Sequence, residues 1–446
     1  MLSTPPFARF RRLPLLIALA LGASVQAQSL VDLYAAARGY DAAYQSAKAQ
    51  YDAALAKSDQ ARALWLPKVG LGANLARTNY ESGSIAGAAT DRAFTTQSAT
   101  LSASQSLYRP ADDASYAQSL KANEQAAAAL KAAEQDLIVR LSQAYFDVLA
   151  SSDSLTFVKA QKTAVQEQLA SAKRNFEVGT STITDTREAQ ARFDLVIAQE
   201  IAAANDLRVK ALALTQLVGQ QNTQPKPVAE PVALDAFAPK DVEQWVSQSQ
   251  SQNTSVQQLR SLLEVAQLET RKANAGHLPT VDLVASYQAT TNNGSATSPK
   301  DFGSNATTVG VSLNLPLFAG YSIQNRVKET VSLESKAQSD LDNAQRQAAQ
   351  GTRTAYYGVE SGLGQVKAFE AAEISSQSAL DANKLGYQVG VRINIDVLNA
   401  QSQLFDTKAK LAKARYDVLV GSLRLGQASG TLSEADLQKI NALLAK

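Results

Sequence analysis

The residues that could perform acid–base or nucleophilic chemistry are sparse in this chain. It contains a single histidine, His277, and no cysteine. With no cysteine and no clustered carboxylate motif, the sequence offers no Ser-His-Asp, Cys-His or zinc-binding constellation. It has no glycine-rich phosphate-binding loop either. We therefore expect a protein that is not an enzyme and has no cofactor or metal, with His277 as a junction residue beside a predicted strand.

The polar residues that stand out belong to a long internal repeat. Phe176-Glu177-Val178-Gly179 returns as Tyr387-Gln388-Val389-Gly390 about 211 residues later, and Asp185 returns as Asp396. The other repeated pairs are Ala144-Tyr145-Phe146 with Ala355-Tyr356-Tyr357, Leu66-Pro67 with Leu278-Pro279, and Leu107-Tyr108 with Leu317-Phe318. Two long repeats indicate one structural unit used twice about an axis.

The N-terminal region has the pattern of a secretory signal. Arg9, Arg11 and Arg12 precede an apolar run at residues 15–21, and Val25-Gln26-Ala27 is a small-residue cleavage site. The run is too short to span a bilayer, so we expect cleavage after Ala27 and export. The formal charge is +2. Loss of the three arginines leaves the chain nearly neutral, which gives no case for nucleic-acid binding.

Most of the remaining chain is predicted to form long helices, which must position the repeated residues. They are predicted over residues 30–63, 111–177, 184–217, 242–275 and 322–386, with a last one ending near Leu425. The second would be about 100 Å long at 1.5 Å per residue, which is typical of a coiled coil or a long bundle. Gly351, Gly358, Gly362 and Gly364 predict interruptions in the fifth.

The final helix carries a seam with alternating spacings of three and four residues. Its members are Ile395, Leu398, Ser402, Phe405, Ala409, Ala412, Tyr416, Leu419 and Leu423. Leu137, Leu141, Ala144 and Val148 follow the same spacing on the first long helix. This is the coiled-coil period, so we expect the long helices to pack side by side along such seams.

Four segments between the helices change to a period of two, which predicts strands near residues 66–78, 95–108, 279–289 and 306–318. Leu101, Leu283, Val311 and Leu313 fall on apolar faces, and Ser102 and Ser312 fall on polar faces. The lengths suit transmembrane β-strands. Four strands with open edges cannot close a barrel in hydrocarbon, so several chains would have to share one. The alternative is a pair of hairpins packed on a soluble core.

Aromatic residues lie at the junctions between these strands and the helices. Trp65, Tyr108 and Phe318 each occupy such a position. They fit an aromatic belt at the inner edge of a membrane. They fit equally well as core aromatics at a domain corner, and the sequence leaves both interpretations open.

The whole predicted mature chain resembles the TolC family of outer-membrane export channels. The resemblance covers the two repeats and the Leu-Pro pairs before strands. It also covers three segments: 387–399, which reads Tyr-Gln-Val-Gly-Val-Arg-Ile-Asn-Ile-Asp-Val-Leu-Asn, 414–416 (Ala-Arg-Tyr), and 430–437 (Gly-Thr-Leu-Ser-Glu-Ala-Asp-Leu).

The resemblance implies an α+β membrane protein that is a homotrimer. Each chain would give four strands to a 12-stranded transmembrane β-barrel, continued by a periplasmic α-helical coiled-coil tunnel. The expected organisation is a signal at 1–27, a first repeat at 28–220, a link at 221–240, a second repeat at 241–430 and a C-terminal equatorial segment at 431–446. The implied partners are outer-membrane lipid, a periplasmic adaptor protein and an inner-membrane transporter, either an ABC transporter or a proton-driven pump.

The resemblance also implies a gate at the inner helix tips. Tyr387 and Arg392 match the family's gate-locking tyrosine and arginine, and Thr184 and Asp185 match their partners on the neighbouring helix. Asp396 matches an acidic constriction ring, whereas Asn399 departs from a pattern that can carry a second aspartate. The alternative for Asp185 is a simple helix cap, which is a common role for aspartate.

The implied function is an exit duct for proteins (type I secretion), for small toxic compounds (drug efflux), or for both, and the sequence does not separate these substrates. A different class of protein is a periplasmic coiled-coil adaptor or scaffold without its own pore. It would share the long helices but would not need paired amphipathic strands.

Overall fold

The structure, a computed structural model, describes residues 27–81, 91–221, 223–230, 232, 234 and 240–445. Most of the predicted signal, much of the first predicted strand loop and part of the 221–240 link lie outside the described residues.

Each repeat contains two short helices, two strands and two long helices in the same order. The helices are α1 (Leu30–Tyr40), α2 (Ala42–Arg62), α3 (Pro110–Glu177), α4 (Ile183–Val218), α5 (Val242–Gln252), α6 (Thr254–Ala275), α7 (Ser322–Gln388), α8 (Asn394–Ser429) and α9 (Glu434–Asn441). A short 3₁₀ turn covers Ala63–Trp65. The strands are β1 (Lys68–Tyr80), β2 (Arg92–Tyr108), β3 (Thr280–Asn293) and β4 (Phe302–Asn314).

Two helices that were expected to be continuous are each broken once. The predicted helix 30–63 is divided at Asp41, and the predicted helix 242–275 is divided at Asn253. Both residues have extended backbone and cap the helix that follows: Asp41 accepts from the Tyr44 amide at 2.8 Å, and Asn253 accepts from the Ser255 amide at 2.9 Å. Aspartate and asparagine are favoured caps because a short side-chain oxygen satisfies a free amide.

Helix α7 corrects the expectation of interruptions, because its 67 residues continue through all four glycines. Each glycine weakens a helix by about 1 kcal/mol relative to alanine, and packing against α6 and then α8 offsets this. Gly362 has a specific reason to lack a side chain, since a Cβ there would lie 2.9 Å from Val418 Cγ2 on α8. Helix α8 also runs past Leu425, to Ser429.

The four strands form one antiparallel sheet in the order β1-β2-β3-β4. Leu101 lies opposite Leu71 and Tyr287, and Leu283 lies opposite Val311. Because side chains alternate between faces, this register confirms that Leu101, Leu283, Val311 and Leu313 share one face and that Ser102 and Ser312 share the other. Within the described chain, β1 and β4 are each paired on one side only.

Strand β4 ends at Asn314, so Leu315 and Leu317 lie beyond the strand in which they were placed. Pro316 follows directly and has no amide hydrogen to donate to a ladder. The strand therefore ends two residues before this proline. At their hairpin-loop ends all four strands extend two to four residues beyond the predicted bounds.

The largest hydrophobic core lies midway along the helices. Its largest fully buried members are Leu30, Leu33, Leu137, Ile138, Leu141, Tyr145, Phe146, Leu214, Leu419, Leu423 and Leu437. Phe146 stacks on Tyr416 with ring centroids 5.5 Å apart. The link and the C-terminal segment join here through a bridge between Val228 and Leu444, and the Tyr145 hydroxyl donates to Lys226 O at 2.8 Å. The described part of the link and the C-terminal segment therefore contact each other beside this core, and the equatorial belt itself stays a prediction.

Helix α8 packs along two seams, of which the sequence indicated one. The predicted seam faces α3 and α4, where Ile395 and Leu398 join a cluster with Val165 and Leu169. The second seam consists of Val397, Gln401, Leu404, Leu411, Ala414 and Val418, all buried. Its first part faces Leu380 on α7. Helix α8 therefore lies between two neighbours, as a helix does in the wall of a tube.

A search for membrane-crossing helices gave none among the described residues, since no helix there combines the required length with the required hydropathy.

Candidate functional site

Two equivalent turns lie at the tips of the long helices. The α3–α4 turn contains Gly179 at φ +79°, and the α7–α8 turn contains Gly390 at φ +78°. This left-handed conformation favours glycine, as in the usual helix C-terminal turn. In each turn an amide returns to the helix: Thr180 N donates to Asn175 O, and Val391 N donates to Gly386 O, both at 2.8 Å. The repeat therefore gives two hairpins of the same design.

A cleft of about 870 Å³ lies between the two hairpin tips. It is lined from both hairpins, and Asp185, Tyr387 and Arg392 all contribute to it. The structure thus brings together three of the four residues predicted for the gate-locking network. Thr184 is exposed and does not line the cleft, and neither Asp396 nor Asn399 does.

The Asp185 carboxylate caps helix α4 within its own chain. It accepts from Ser181 Oγ at 2.7 Å, from Thr182 Oγ1 at 2.8 Å and from the Thr182 amide at 3.0 Å. Burial opposes ionisation, but these hydrogen bonds outweigh it and lower the pKa of Asp185 below its usual value. Within a single chain, the Asp185 carboxylate therefore acts as a helix cap.

The repeat partner of Asp185 has a different role. Ile393 occupies the position of Thr182 in the second repeat and has no hydroxyl, so no side chain caps α8 there. Asp396 instead lies 3.8 Å from Arg392 Nη1 in a partly exposed ion pair. Surface pairs of this kind are worth only ~0–1 kcal/mol. The two aspartates share a place in the repeat but have different partners.

Asn394 joins the two hairpins and was not predicted. It is fully buried at the first position of α8, its Nδ2 donates to the main-chain oxygen of Asp185 at 3.2 Å, and its Oδ1 accepts from Gln168 Nε2. The equivalent residue in the first repeat is Ile183. An asparagine in place of an apolar residue was the one signal in the sequence that could have indicated this contact.

Tyr387 and Arg392 contact residues other than those expected from the resemblance. The Tyr387 hydroxyl accepts from Asn175 Nδ2 at 3.3 Å, and its ring packs in the cluster of Leu380, Val397 and Leu404. The Arg392 side chain folds over Gly386, where a Cβ would lie 2.7 Å from Arg392 Cγ. The expected links to Thr184 and Asp185 on the neighbouring helix do not form within the described chain, and the gate-locking role of these residues stays a prediction.

Asn399 accepts a hydrogen bond from an arginine of its own chain. Its Oδ1 accepts from Arg192 Nη2 on α4 at 2.9 Å, and its side chain is exposed. Arg192 was not predicted as a site residue. Where the family can carry a second aspartate, this chain therefore has a neutral asparagine that pairs with Arg192.

The three junction aromatics lie at the end of the sheet that faces the helices. Trp65 Nε1 donates to Asp113 at 3.1 Å, and its ring lies 4.5 Å from that of Tyr116. Tyr108 is exposed, and so is Phe318, whose ring meets Tyr321 edge to face. These rings are exposed in the single chain, and their place in a membrane interface stays a prediction. Among the described residues, no group of three histidine or acidic side chains could hold a metal ion.

Known proteins resemble this chain across both repeats. A family model described as "Outer membrane efflux protein" matches residues 33–220 and 245–431. The outer membrane protein TolC of Vibrio cholerae is 34% identical over 438 residues, which cover 96% of this chain and 98% of that protein. The alkaline protease secretion protein AprF of Pseudomonas aeruginosa is 30% identical over 358 residues, which cover 79% of this chain and 73% of that one.

Solved structures agree with this fold. The structure of CusC matches with a TM-score of 0.77 at 18% identity and covers 96% of this chain and 99% of that chain. The outer membrane protein VceC from Vibrio cholerae matches with a TM-score of 0.75 at 19% identity and covers 90% of this chain and 96% of that chain.

Proposed function

Because the chain belongs to the outer membrane efflux protein family, we propose that three copies of it form one exit duct with a gate at the periplasmic helix tips. The protein is an outer-membrane export channel with a periplasmic helical tunnel. The observation that supports the duct best is the single sheet with an exposed apolar face and two unpaired edges, continued by helices of 68 and 67 residues.

The open sheet edges require further copies. Val309 is 72% exposed and Leu71 77% exposed, so the apolar face is not covered by the chain itself. In hydrocarbon the apolar face contacts lipid favourably. The free backbone N–H and C=O groups at the outer edges of β1 and β4 would have no hydrogen-bond partners there. Pairing β4 of one copy with β1 of the next removes both edges. Three copies give a 12-stranded barrel, an even number within the range of outer-membrane barrels.

The gate lies where the hairpins meet. Asn394 ties the α7–α8 hairpin to the α3–α4 hairpin through Gln168 and the main chain of Asp185. Opening by an outward movement of one hairpin breaks these hydrogen bonds and lets water satisfy the freed groups. Three copies also place three Asp396 carboxylates around the axis, where a ring of like charges attracts cations. Tyr387 and Arg392 would lock this closed state across copies.

The relatives support a proposal for the exported cargo and the partners. The names of two relatives, AprF and the PrtF protein of Dickeya chrysanthemi, describe protease secretion. The antibiotic efflux protein ArpC of Pseudomonas putida is 24% identical over 66% of this chain. Protein export through a tripartite assembly with a periplasmic adaptor and an inner-membrane transporter is the candidate that these identities favour, and small toxic compounds are the second.

The duct is tested by fractionation and conductance. We expect the protein in outer membranes, as a complex with three times the chain mass after detergent extraction, and we expect discrete channels in planar bilayers. A monomer recovered in the soluble periplasmic fraction, without channels, would favour the scaffold class and overturn the proposal.

A further inference from the structure

The polar face of the sheet carries a single acidic residue. Among the residues of the four strands, Asp282 on β3 is the only carboxylate. It lies opposite Ser106 on β2 and Ser312 on β4, at the end of the sheet that faces the helices. Beyond it the same face is uncharged as far as Arg92 at the outer end. In the proposed duct this face lines the lumen, so a free Asp282 would be the one negative charge that the strands contribute to the barrel wall.

Arg109 neutralises this carboxylate. Its Nε donates to Asp282 Oδ1 at 2.8 Å, and its Nη2 donates to Asp282 Oδ2 at 2.6 Å. Two parallel hydrogen bonds of this kind match the guanidinium fork to the carboxylate and fix the position of both groups. The side chain of Arg109 is 44% exposed and that of Asp282 is 19% exposed. The pair therefore stays in contact with whatever fills the space beside the sheet.

The local structure at the end of β2 directs Arg109 toward β3. The pairing of β2 with β3 shifts between Ser106 and Tyr108, and an irregularity of this kind bends a strand and re-aims its side chains. Pro110 then begins α3 and keeps Arg109 out of the helical conformation, at φ −144° and ψ 85°. Arg109 is thus the last residue before the helix, and its side chain reaches across to the neighbouring strand.

The two charges occur together, although each repeat supplies only one of them. Asp282 follows the proline of a Leu-Pro pair by three residues, and the residue in that place in the first repeat is Gly70. Arg109 follows Tyr108, and the residue that follows the equivalent Phe318 is Ala319. Neither counterpart is charged, so each copy has one such pair. Because a partly exposed ion pair contributes little to stability, charge balance is the property that explains it best.

The width of the barrel determines whether an unbalanced charge at this level would matter. Strands about 4.8 Å apart and tilted by about 40° place the backbone of a 12-stranded barrel about 12 Å from its axis, and carboxylates that point inward about 8–9 Å from it. The Debye length is about 10 Å in 0.1 M salt. Three unpaired carboxylates would therefore raise the concentration of monovalent cations on the axis about threefold.

We propose that Arg109 and Asp282 form a charge-neutral band at the inner mouth of the barrel, which lets cargo of either charge pass from the tunnel into the barrel. The inference rests on the proposed duct, because it needs the polar face to line a lumen. Lys68 lies on the same face at the same end, and Asp112 lies in the first turn of α3, so the nearby charges also balance. A polypeptide carries side chains of both signs. A neutral mouth therefore suits a protein cargo, whereas a ring of unpaired charge would hold segments of the opposite sign.

Measurements of ion selectivity on variants of the pair test this neutrality. Reversal potentials in a salt gradient give the ratio of K⁺ to Cl⁻ permeability, and all variants carry Asp396→Ala, so that the constriction predicted at the tips adds no charge. We expect Arg109→Gln to raise the ratio about threefold, because it leaves Asp282 unpaired, and Asp282→Asn to lower it by about as much. The double variant should return to the ratio of the parent. Arg77→Gln is the matched control, since Arg77 lies on the apolar face of β1, and it should leave the ratio unchanged.

Labelling after assembly gives a second measurement that does not depend on the folding of the charge variants. The chain contains no cysteine, so Ser312→Cys, beside Asp282 on the same face, provides one thiol per copy. A methanethiosulfonate reagent forms a mixed disulfide with this thiolate and releases methanesulfinate. A cationic reagent should lower the permeability ratio, and an anionic reagent should raise it. Val311→Cys on the apolar face is the control and should show neither shift.

The outcomes separate the neutral band from the duct. Shifts in the same direction for Arg109→Gln and Asp282→Asn, or no shift for either, would mean that the pair only holds the junction together and would overturn the inference. If a charge variant forms no trimers, the labelled Ser312→Cys channel decides, and no response to either reagent would also overturn it. Absence of trimers and channels in the wild-type chain would instead overturn the proposed function itself.

Discussion

The Nδ2 of Asn394, the first residue of α8, donates a hydrogen bond to the main-chain oxygen of Asp185 at 3.2 Å. The acceptor lies in the first turn of α4, and Asn394 lies in the first turn of α8, so the contact joins the two hairpins at their tips. Because the acceptor is a main-chain atom, substitution of Asp185 does not remove it. The contact between the tips therefore depends on Asn394 more directly than on the Asp185 side chain.

Asn394→Ile should loosen the tips, because it introduces the residue of the first repeat and removes both hydrogen bonds. Gln168 and the Asp185 carbonyl would lose a partner, at about 1–3 kcal/mol for each group left unsatisfied. We expect higher conductance in planar bilayers and a lower melting temperature. Asn383→Ile is the matched control, since its Nδ2 bonds only to Ala379 O within α7. Equal conductance of both variants would contradict the role given to Asn394.

Tyr387→Phe with Arg392→Ser should raise conductance if the two residues lock neighbouring copies at Thr184 and Asp185. The contacts inside one chain are weak, since the Asn175–Tyr387 hydrogen bond is 3.3 Å long and the Arg392–Asp396 pair is partly exposed at 3.8 Å. Their loss alone should change conductance little. Adding Asp185→Ala to these two substitutions tests whether the residues are linked, because substitutions within one contact network have non-additive effects on conductance. Strictly additive effects in assembled trimers would mean that no link exists between copies.

Asp396→Ala should reduce cation preference and weaken block by divalent cations, because it removes a ring of three carboxylates. Asn399→Asp should strengthen that block less than a free carboxylate would, since Arg192 already contacts this side chain at 2.9 Å. Asn399→Asp with Arg192→Gln should restore the full effect. Reversal potentials in salt gradients measure the preference. If the double variant behaves like the wild type, position 399 does not face the pore.

Val311→Arg should impair membrane insertion, and Ser312→Arg should not. Val311 lies on the apolar face opposite Leu283, and Ser312 lies on the polar face opposite Asp282. Arginine on a lipid-facing position destabilises insertion by ~2–4 kcal/mol at mid-membrane. The adjacent serine is a matched control for strand position. Trimer yield in outer membranes gives the measurement, and equal yields would show that the two faces do not differ in lipid exposure.

The Asp185 cap should make tip stability depend on pH in the acidic range. Its folded-state pKa is lowered from a usual 3.8, so the stabilisation is fully present above that value and is lost as pH falls through the lower folded pKa. Asp185→Asn should remove this dependence. Hydrogen exchange of the α4 first-turn amides between pH 5 and pH 2 is the measurement. An unchanged pH profile in the variant would mean that another group controls the tip.

The alternation of residues such as Leu101 and Ser102 predicted the sheet faces correctly, because side chains alternate with a fixed period of two and this does not depend on the rest of the fold. The repeat predicted two hairpins of one design for a similar local reason, since Gly179 and Gly390 supply the same turn conformation. The length of α3 followed from the absence of proline and glycine between Ala111 and Glu177, whereas α7 continues through four glycines that predicted interruptions. The helix breaks at Asp41 and Asn253 were missed because either residue is equally compatible with a helix surface.

Contacts between distant parts of the chain were decided by the tertiary structure. Asn394 meets Asp185, and Arg192 meets Asn399, across more than 200 residues of sequence. No local pattern states which helix faces which, so the second seam of α8 became visible only when α7 was seen beside it. The sequence by itself determined what each segment forms and which side chains share a face. The packing of four helices in one layer decided which of those faces are covered and which remain open for another copy.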